Sequence, residues 1–237
     1  CPMDTPAAST AIVENELDLL ASLVPLGGKQ IIELGCGPAK MARELLARHA
    51  DSTVTGVEVD ARQHAKNLAA PQERLHFISG VAQNIPAADA SHDLALMLKS
   101  LHHVPVAAMA QALAEVARVL RPAGFLYVSE PLFQGSLNSV IRIYNDEQVV
   151  RAAAQAALDA AVASGDWKEI AQRSFEVPLH FDDFAAFEKR MVNQTYADHR
   201  LDEATFAQVR RTFEAHMGPN GADFLQPMHV RLLQPLR

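Results

Sequence analysis

Cysteine is nearly absent from this chain of 237 residues: Cys1 opens it and Cys36 sits in a glycine turn. Two thiols so placed make neither a disulfide framework nor a cysteine-based metal cluster, so no metal site is expected and a cytoplasmic location is the default expectation. Long apolar runs are missing too, none reaching the ~18 residues that a membrane-spanning helix needs. The first residues, Cys1-Pro2-Met3-Asp4-Thr5-Pro6, lack the basic-then-apolar order of a secretory signal. Positive charge is in deficit: 21 Lys and Arg stand against 28 Asp and Glu, a net charge of −7 without any long Lys/Arg run. Such a balance gives no general attraction to phosphate backbones, so neither a nucleic acid nor a membrane is expected as a partner. What remains is ordinary for a soluble globular protein, with 49% hydrophobic and 21% charged residues. A chain of this length buries a sizeable core, and we expect one domain with elaborations, its single tryptophan, Trp167, and its ten phenylalanines mostly inside.

The chain is organised around Gln30-Ile31-Ile32-Glu33-Leu34-Gly35-Cys36-Gly37-Pro38-Ala39-Lys40. β-Branched residues and a leucine predict a buried strand, two glycines break it, and Met41 to Arg48 follows with helical spacing. In such a strand, turn and helix start, glycine lets a ligand approach the bare backbone, and the first helical N–H groups lack partners. A dinucleotide fold asks for G-x-G-x-x-G here, and Lys40 stands at the third glycine position, which disfavours a nicotinamide oxidoreductase.

With its acid two residues before the first glycine, Glu33-Leu34-Gly35-Cys36-Gly37 resembles motif I of the class I S-adenosylmethionine-dependent methyltransferases, of the small-molecule type 11/12-like kind. Three further stretches extend the resemblance in the same order. Thr53 to Asp60 reads as a second strand whose Gly56-Val57-Glu58 brings a carboxylate to the place where this geometry meets a ribose, with Val59 beside it and Asp60 in reserve, or as a cap for the next helix. Leu75 to Ser79 reads as a third strand leading to Gly80-Val81-Ala82-Gln83-Asn84; the family commonly has an aspartate where Val81 stands, so the adenine would rely on backbone around Val81 and Ala82, helped by Gln83 or Asn84. Asp93 to Leu98 is nearly continuous in apolar residues, as a strand buried on both faces should be, and runs into Lys99-Ser100-Leu101-His102-His103, where the family often has a leucine and paired histidines. A helix over Val106–Leu120, a turn at Arg121-Pro122-Ala123-Gly124 and a strand Phe125 to Pro131 complete a match that runs from about residue 29 to 131.

The resemblance implies a doubly wound, Rossmann-like α/β fold with a seven-stranded, mostly parallel sheet, one antiparallel strand and a helical cap. Residues 11 to 24 are expected to form an amphipathic helix ended by Pro25, and residues 1-131 the cofactor-binding core. Residues 132-172 are expected to be a helical cap insertion, and 173-237 to complete the same domain with strands at 173–181 and 226–233 and helices at 182–196 and 202–216. The resemblance also implies S-adenosyl-L-methionine as cofactor, S-adenosyl-L-homocysteine as product and a small-molecule acceptor, in a monomer or homodimer. Cofactor candidates are Glu33, Gly35, Cys36, Gly37, Glu58, Val59, Val81, Ala82, Gln83, Lys99 and Leu101. Candidates for a general base are His102, His103, Glu130 and Tyr144, in that order, because an acceptor oxygen or nitrogen must lose a proton. A structural role for the histidine pair is the competing reading. Substrate-choosing polar groups in the cap are sought among Arg142, Tyr144, Asn193, Tyr196, His199 and Arg231. Binding of the cofactor without turnover is the alternative function.

Overall fold

The computed structural model describes residues 10–193 and 201–236. An eight-stranded sheet runs through it in the order β1-β7-β8-β6-β5-β2-β3-β4. The strands are β1 (Ala11–Ile12), β2 (Gln30–Leu34), β3 (Thr53–Glu58), β4 (Leu75–Ser79), β5 (His92–Leu98), β6 (Leu120–Pro131), β7 (Trp167–Phe181) and β8 (Ala222–Pro235). Only β8 runs against its neighbours β6 and β7; every other pairing is parallel. The expected single antiparallel strand is therefore present, in a sheet one strand wider than expected.

The extra strand lies in a stretch read from sequence as helix. Ala11 and Ile12 pair with Phe175 and Glu176 of β7, and helix α1 covers Glu16–Leu23 rather than residues 11 to 24. The cause is local: the Asn15 side chain accepts the Leu17 N–H at 2.9 Å, and this cap sets the helix start after the strand.

Two apolar layers sandwich the sheet, as strand alternation requires. On one face Ile32, Leu34, Ala95, Met97, Leu126 and Val128 pack against α4 (Met109–Val119) and α6 (Gln148–Ala163). On the other, Ile31, Leu94, Leu96, Tyr127 and Leu232 meet α1 and α2 (Lys40–Arg48). Helix α3 (Ala61–Leu68) links β3 to β4. The turn expected at Arg121–Gly124 becomes a bulge within β6, since Leu120 pairs with His92 and Phe125 with Leu94.

Beyond the carboxyl end of β6 the β7–β8 ribbon continues alone. Met228 pairs with Pro131, the last residue of β6, while Ala222 to Pro227 and their partners extend further. β7 and β8, of 15 and 14 residues, are each longer than the predicted strands, and Pro178 fits in the overhang because β1 pairs β7 only at Phe175 and Glu176. Its apolar side gathers α5 (Ser136–Ile141), α7 (Phe184–Phe187) and α8 (Glu203–Glu214) around Phe181, Phe184, Phe187, Phe213 and Phe224. Asp183 and Asp202 cap α7 and α8 by accepting the Ala186 and Thr205 N–H groups at 2.8 and 2.7 Å. The helix expected over 182–196 ends as a wider turn at Glu188–Val192, and its remainder lies outside the described residues. The cap therefore draws on both the second and third predicted segments, whereas α6 packs on the sheet face through Ala154 and Leu158 beside Trp167. Among the described residues no helix is long and apolar enough to cross a membrane.

Candidate active site

The parallel strands bring their carboxyl ends to one edge of the sheet, and the predicted cofactor residues collect there. Gly35, Gly37 and Ala39 all take left-handed backbone angles, φ +70°, +51° and +55°. The turn is strapped to β3 by the Gly35 and Cys36 N–H groups, which both donate to the Val57 carbonyl at 2.9 and 3.1 Å. A Cβ on Gly35 would lie 2.8 Å from Ser100 Cβ, which excludes any other residue. A Cβ on Gly37 would meet no atom within 4 Å. The turn is thus closed underneath and open above, with α2 starting at Ala39 without a side-chain cap.

Glu58 closes this arrangement from the last position of β3. Its Oε2 accepts the Gly37 N–H at 2.7 Å and its Oε1 the Asp60 N–H at 2.8 Å. Each carboxylate oxygen retains a lone pair for a further donor. Asp60, the reserve candidate, caps α3 by accepting the Arg62 N–H at 3.0 Å. Val59 between them is 67% exposed, an apolar face at the mouth of the turn. Asn67, which sequence reasoning did not single out, is buried and donates to the Gly37 carbonyl at 2.7 Å.

Two predicted residues lie beneath the turn instead of lining it. Glu33 is 3% exposed in β2, and its Oε2 has no hydrogen-bond partner. Burial pushes its carboxyl up to about 8, outweighing the Ala42 N–H that favours the charged form, with Glu16 and Glu58 adding repulsion. The Cys36 thiol turns into the core beside Gly56 and Asn67, where burial drives its pKa far up and leaves it an unreactive thiol. The backbone alone of Cys36 faces the turn.

Half-buried Val81, Ala82 and Gln83 follow β4, where Gly80 N–H donates to the Glu58 carbonyl at 3.2 Å and Gln111 Nε2 to the Gln83 carbonyl at 2.8 Å. At the end of β5, Lys99 (φ +55°) is exposed and its Nζ reaches Gln226 Oε1 on β8 at 3.3 Å. Ser100 Oγ donates to the Leu34 carbonyl at 2.7 Å, joining this loop to the strand that carries the glycines.

Buried polar groups continue from there. Glu130 Oε1 accepts the Leu101 N–H at 2.8 Å, and its Oε2 is hydrogen-bonded to His102 Nδ1. His102 is 4% exposed and its Nε2 stands 3.8 Å from Glu147 Oε1. His103 is exposed, its ring centroid 4.1 Å from that of His102. Glu147 Oε2 pairs with buried Arg151 at 2.6 Å, and Arg151 also donates to the Leu132 carbonyl and Asn138 Oδ1 at 3.2 and 3.3 Å. Burial alone would raise the Glu147 carboxyl; positive charge at His102 and Arg151 outweighs it and holds the group below its ordinary value. Beside Arg151 lies a cavity of about 260 Å³, lined also by Pro131, Leu132, Phe133, Gln148 and Gln155.

Not every candidate reaches this edge. The Tyr144 hydroxyl donates to the Met191 carbonyl at 3.1 Å within the cap, and Tyr144 packs on the phenylalanine cluster. Arg231 is 5% exposed on the sheet, held by Glu169 at 2.5 Å and Asp159 at 2.6 Å, and is a structural ion pair. Arg142 lies over the Phe133 ring at 5.3 Å, and Asn193 is exposed at the end of the wider turn. Tyr196 and His199 lie outside the described residues. Glu147 and Arg151 were missed. Their spacing of four on a helix is visible in the sequence, but their neighbourhood with His102 is not.

Residues 32–128 match a family model described as a methyltransferase domain. A phthiotriol/phenolphthiotriol dimycocerosates methyltransferase of Mycobacterium tuberculosis is 37% identical over 108 residues, 44% of this chain and 38% of that protein. The 27-O-demethylrifamycin SV methyltransferase of Amycolatopsis mediterranei is 32% identical over 119 residues, 48% of this chain and 43% of that one. The chain spans about two-fifths of the length of these curated relatives. Among solved structures, the YcgJ protein of Bacillus subtilis shares the fold at a TM-score of 0.64 and 18% identity, over 93% of this chain and 98% of that one.

Proposed function

We propose that this chain, whose residues 32–128 match a methyltransferase-domain family model, binds S-adenosyl-L-methionine at the carboxyl edge of its sheet and passes the methyl group to a small-molecule acceptor, releasing S-adenosyl-L-homocysteine. The observation that carries the reading is the turn at Gly37, open on its upper side and tied by its N–H to a carboxylate with spare acceptor capacity. The residues fit the cofactor: the open space above the Gly35–Gly37 turn suits its amino-acid tail, Glu58 its ribose hydroxyls, exposed Val59 the flat face of its base, and Val81 to Gln83 the base edge through backbone groups. When bound, the cofactor supplies a sulfonium that makes its methyl carbon electrophilic. The protein then has to hold the acceptor in line and exclude water.

Exposed Lys99 is the residue we assign to the place where the two ligands would meet, with the cap of α5, α7 and α8 at the same end of the sheet; Leu101 is buried in the core and offers only its backbone N–H, which Glu130 takes. Small-molecule acceptors are supported by the names of the curated relatives, and the cavity beside Arg151 is where we place the acceptor. His103, the exposed member of the histidine pair, is the base candidate that reaches solvent; its ring lies beside that of His102, which Glu130 holds. Tyr144 is dropped from this role because its hydroxyl serves the cap.

Calorimetric titration with S-adenosyl-L-homocysteine tests the reading, with micromolar binding expected and absence of binding overturning it. Val81 in place of the family's aspartate favours the alternative of binding without turnover. That alternative would be established by cofactor binding with no methylated product across an acceptor screen.

A further inference from the structure

The histidine pair and Glu147 are placed as ligands as well as bases. His102 and His103 share the short helical turn Leu101–His103, and Glu147 is the N-cap residue of α6. One ligand atom from each of the three lies within 4.8 Å of the others. We propose that His102, His103 and Glu147 form a binding site for a divalent first-row transition-metal ion, with zinc as the reference case.

The donor set selects the metal. Two imidazole nitrogens and one carboxylate oxygen suit zinc, iron, cobalt or nickel, whereas magnesium and calcium prefer all-oxygen shells. Zinc lies about 2.0–2.2 Å from nitrogen and oxygen ligands, so two ligands at a tetrahedral angle stand roughly 3.4 Å apart. His102 Nε2 and Glu147 Oε1 are 3.8 Å apart, within a few tenths of an ångström of that spacing. The His103 ligand atom lies within 4.8 Å of both, so closing the shell asks for a shift of about an ångström or more at this exposed residue.

The surroundings are those of a built site. A metal-bound histidine usually gives its other ring nitrogen to a carboxylate or carbonyl, which fixes tautomer and ring orientation. Glu130 does this for His102: its Oε1 is anchored by the Leu101 N–H, its Oε2 holds Nδ1, and Nε2 is left directed at Glu147. Arg151 does the corresponding work for Glu147, binding Oε2 at 2.6 Å, while Oε1 accepts the Asn145 amide at 3.1 Å and stands toward the histidine. Both flanking ligands are thus oriented by groups that do not themselves ligate. Three protein ligands with an exposed member match the open pattern, in which water or substrate completes the shell. Any part the ion plays in the reaction rests on the methyl-transfer reading; its binding does not.

The test is calorimetric titration of chelator-dialysed protein with zinc, repeated with cobalt(II) followed by visible absorption. One equivalent per chain is expected, and His103→Ala and Glu147→Gln should each weaken binding at least tenfold. His180→Ala removes a rival exposed site beside Asp182 and Asp223, and should leave the affinity unchanged. Thermal melts of each variant establish that it is folded. Failure of the folded wild-type chain to bind either ion would overturn the site, as would binding unmoved by His103→Ala and Glu147→Gln or abolished by His180→Ala. A parallel titration with S-adenosyl-L-homocysteine separates the two readings, because loss of that binding with the zinc result intact bears on the cofactor crevice alone.

Discussion

The glycine turn and the phenylalanine cluster stand at the same end of the sheet and are built in opposite ways. At the turn, backbone geometry decides: three left-handed residues in five positions, a glycine without room for a Cβ, and amides fixed by Val57 and Glu58. In the cap, apolar area decides: Phe181, Phe187 and Phe213 are each at most 2% exposed and meet ring to ring at 4.8 to 6.0 Å. A turn of the first kind tolerates almost no substitution, because one atom in the wrong place removes an amide or fills the approach path. A cluster of the second kind accepts many sequences of similar volume. A fold that pairs them can keep one cofactor while changing its acceptor.

Substitutions separate the two regions. Gly37→Val should abolish S-adenosyl-L-homocysteine binding, since it fills the open side of the turn and puts a β-branched residue at φ +51°, while the chain still melts cooperatively. Phe213→Ala should do the reverse. It should cost about 3–5 kcal/mol of stability in denaturant unfolding, by opening a cavity in the cap, and leave cofactor affinity in the folded protein within a few fold. If Phe213→Ala removed cofactor binding as thoroughly as Gly37→Val, the division between the regions would fail.

Glu33 sharpens the comparison because its carboxyl is buried under the turn with one oxygen, Oε2, left without a partner. Its folded carboxyl titrates at about 8 against 4.5 unfolded, so its stabilising contribution is full below pH 4.5 and is lost as pH rises toward 8. Stability attributable to it should fall by about 3 kcal/mol between pH 4.5 and 7. Glu33→Gln should flatten that slope in unfolding curves taken across the range, and equal slopes in the two proteins would contradict the burial account. Smallest of the set, Glu58→Ala should weaken cofactor binding by about 1–3 kcal/mol while loosening the Gly37 amide it holds, read by titration and by hydrogen exchange at Gly37.

The sequence was legible where chemistry is local. Strands β2 to β5, the turn, Glu58 at the end of β3 and the histidine pair after β5 all follow from runs of adjacent residues, and each stands where those runs place it. The start of a helix at Asp202 was readable for the same reason, its side chain accepting the Thr205 N–H. Long-range pairings were not legible. Ala11 and Ile12 form a strand only because Phe175 offers an edge 164 residues later, and the extra length of β7 and β8 comes from their pairing with each other. Arg231 looked like a cap residue until Glu169 and Asp159 were seen to hold it against the sheet. Glu147 reaches His102 across 45 positions, and no spacing in the chain announces it.

The most direct test of the central claim is a crystal structure of the complex with S-adenosyl-L-homocysteine. The account predicts the amino-acid tail in the open space above the Gly35–Gly37 turn and the ribose hydroxyls on Glu58. Density for the ligand at another edge of the sheet, or Glu58 turned away from an occupied turn, would contradict it.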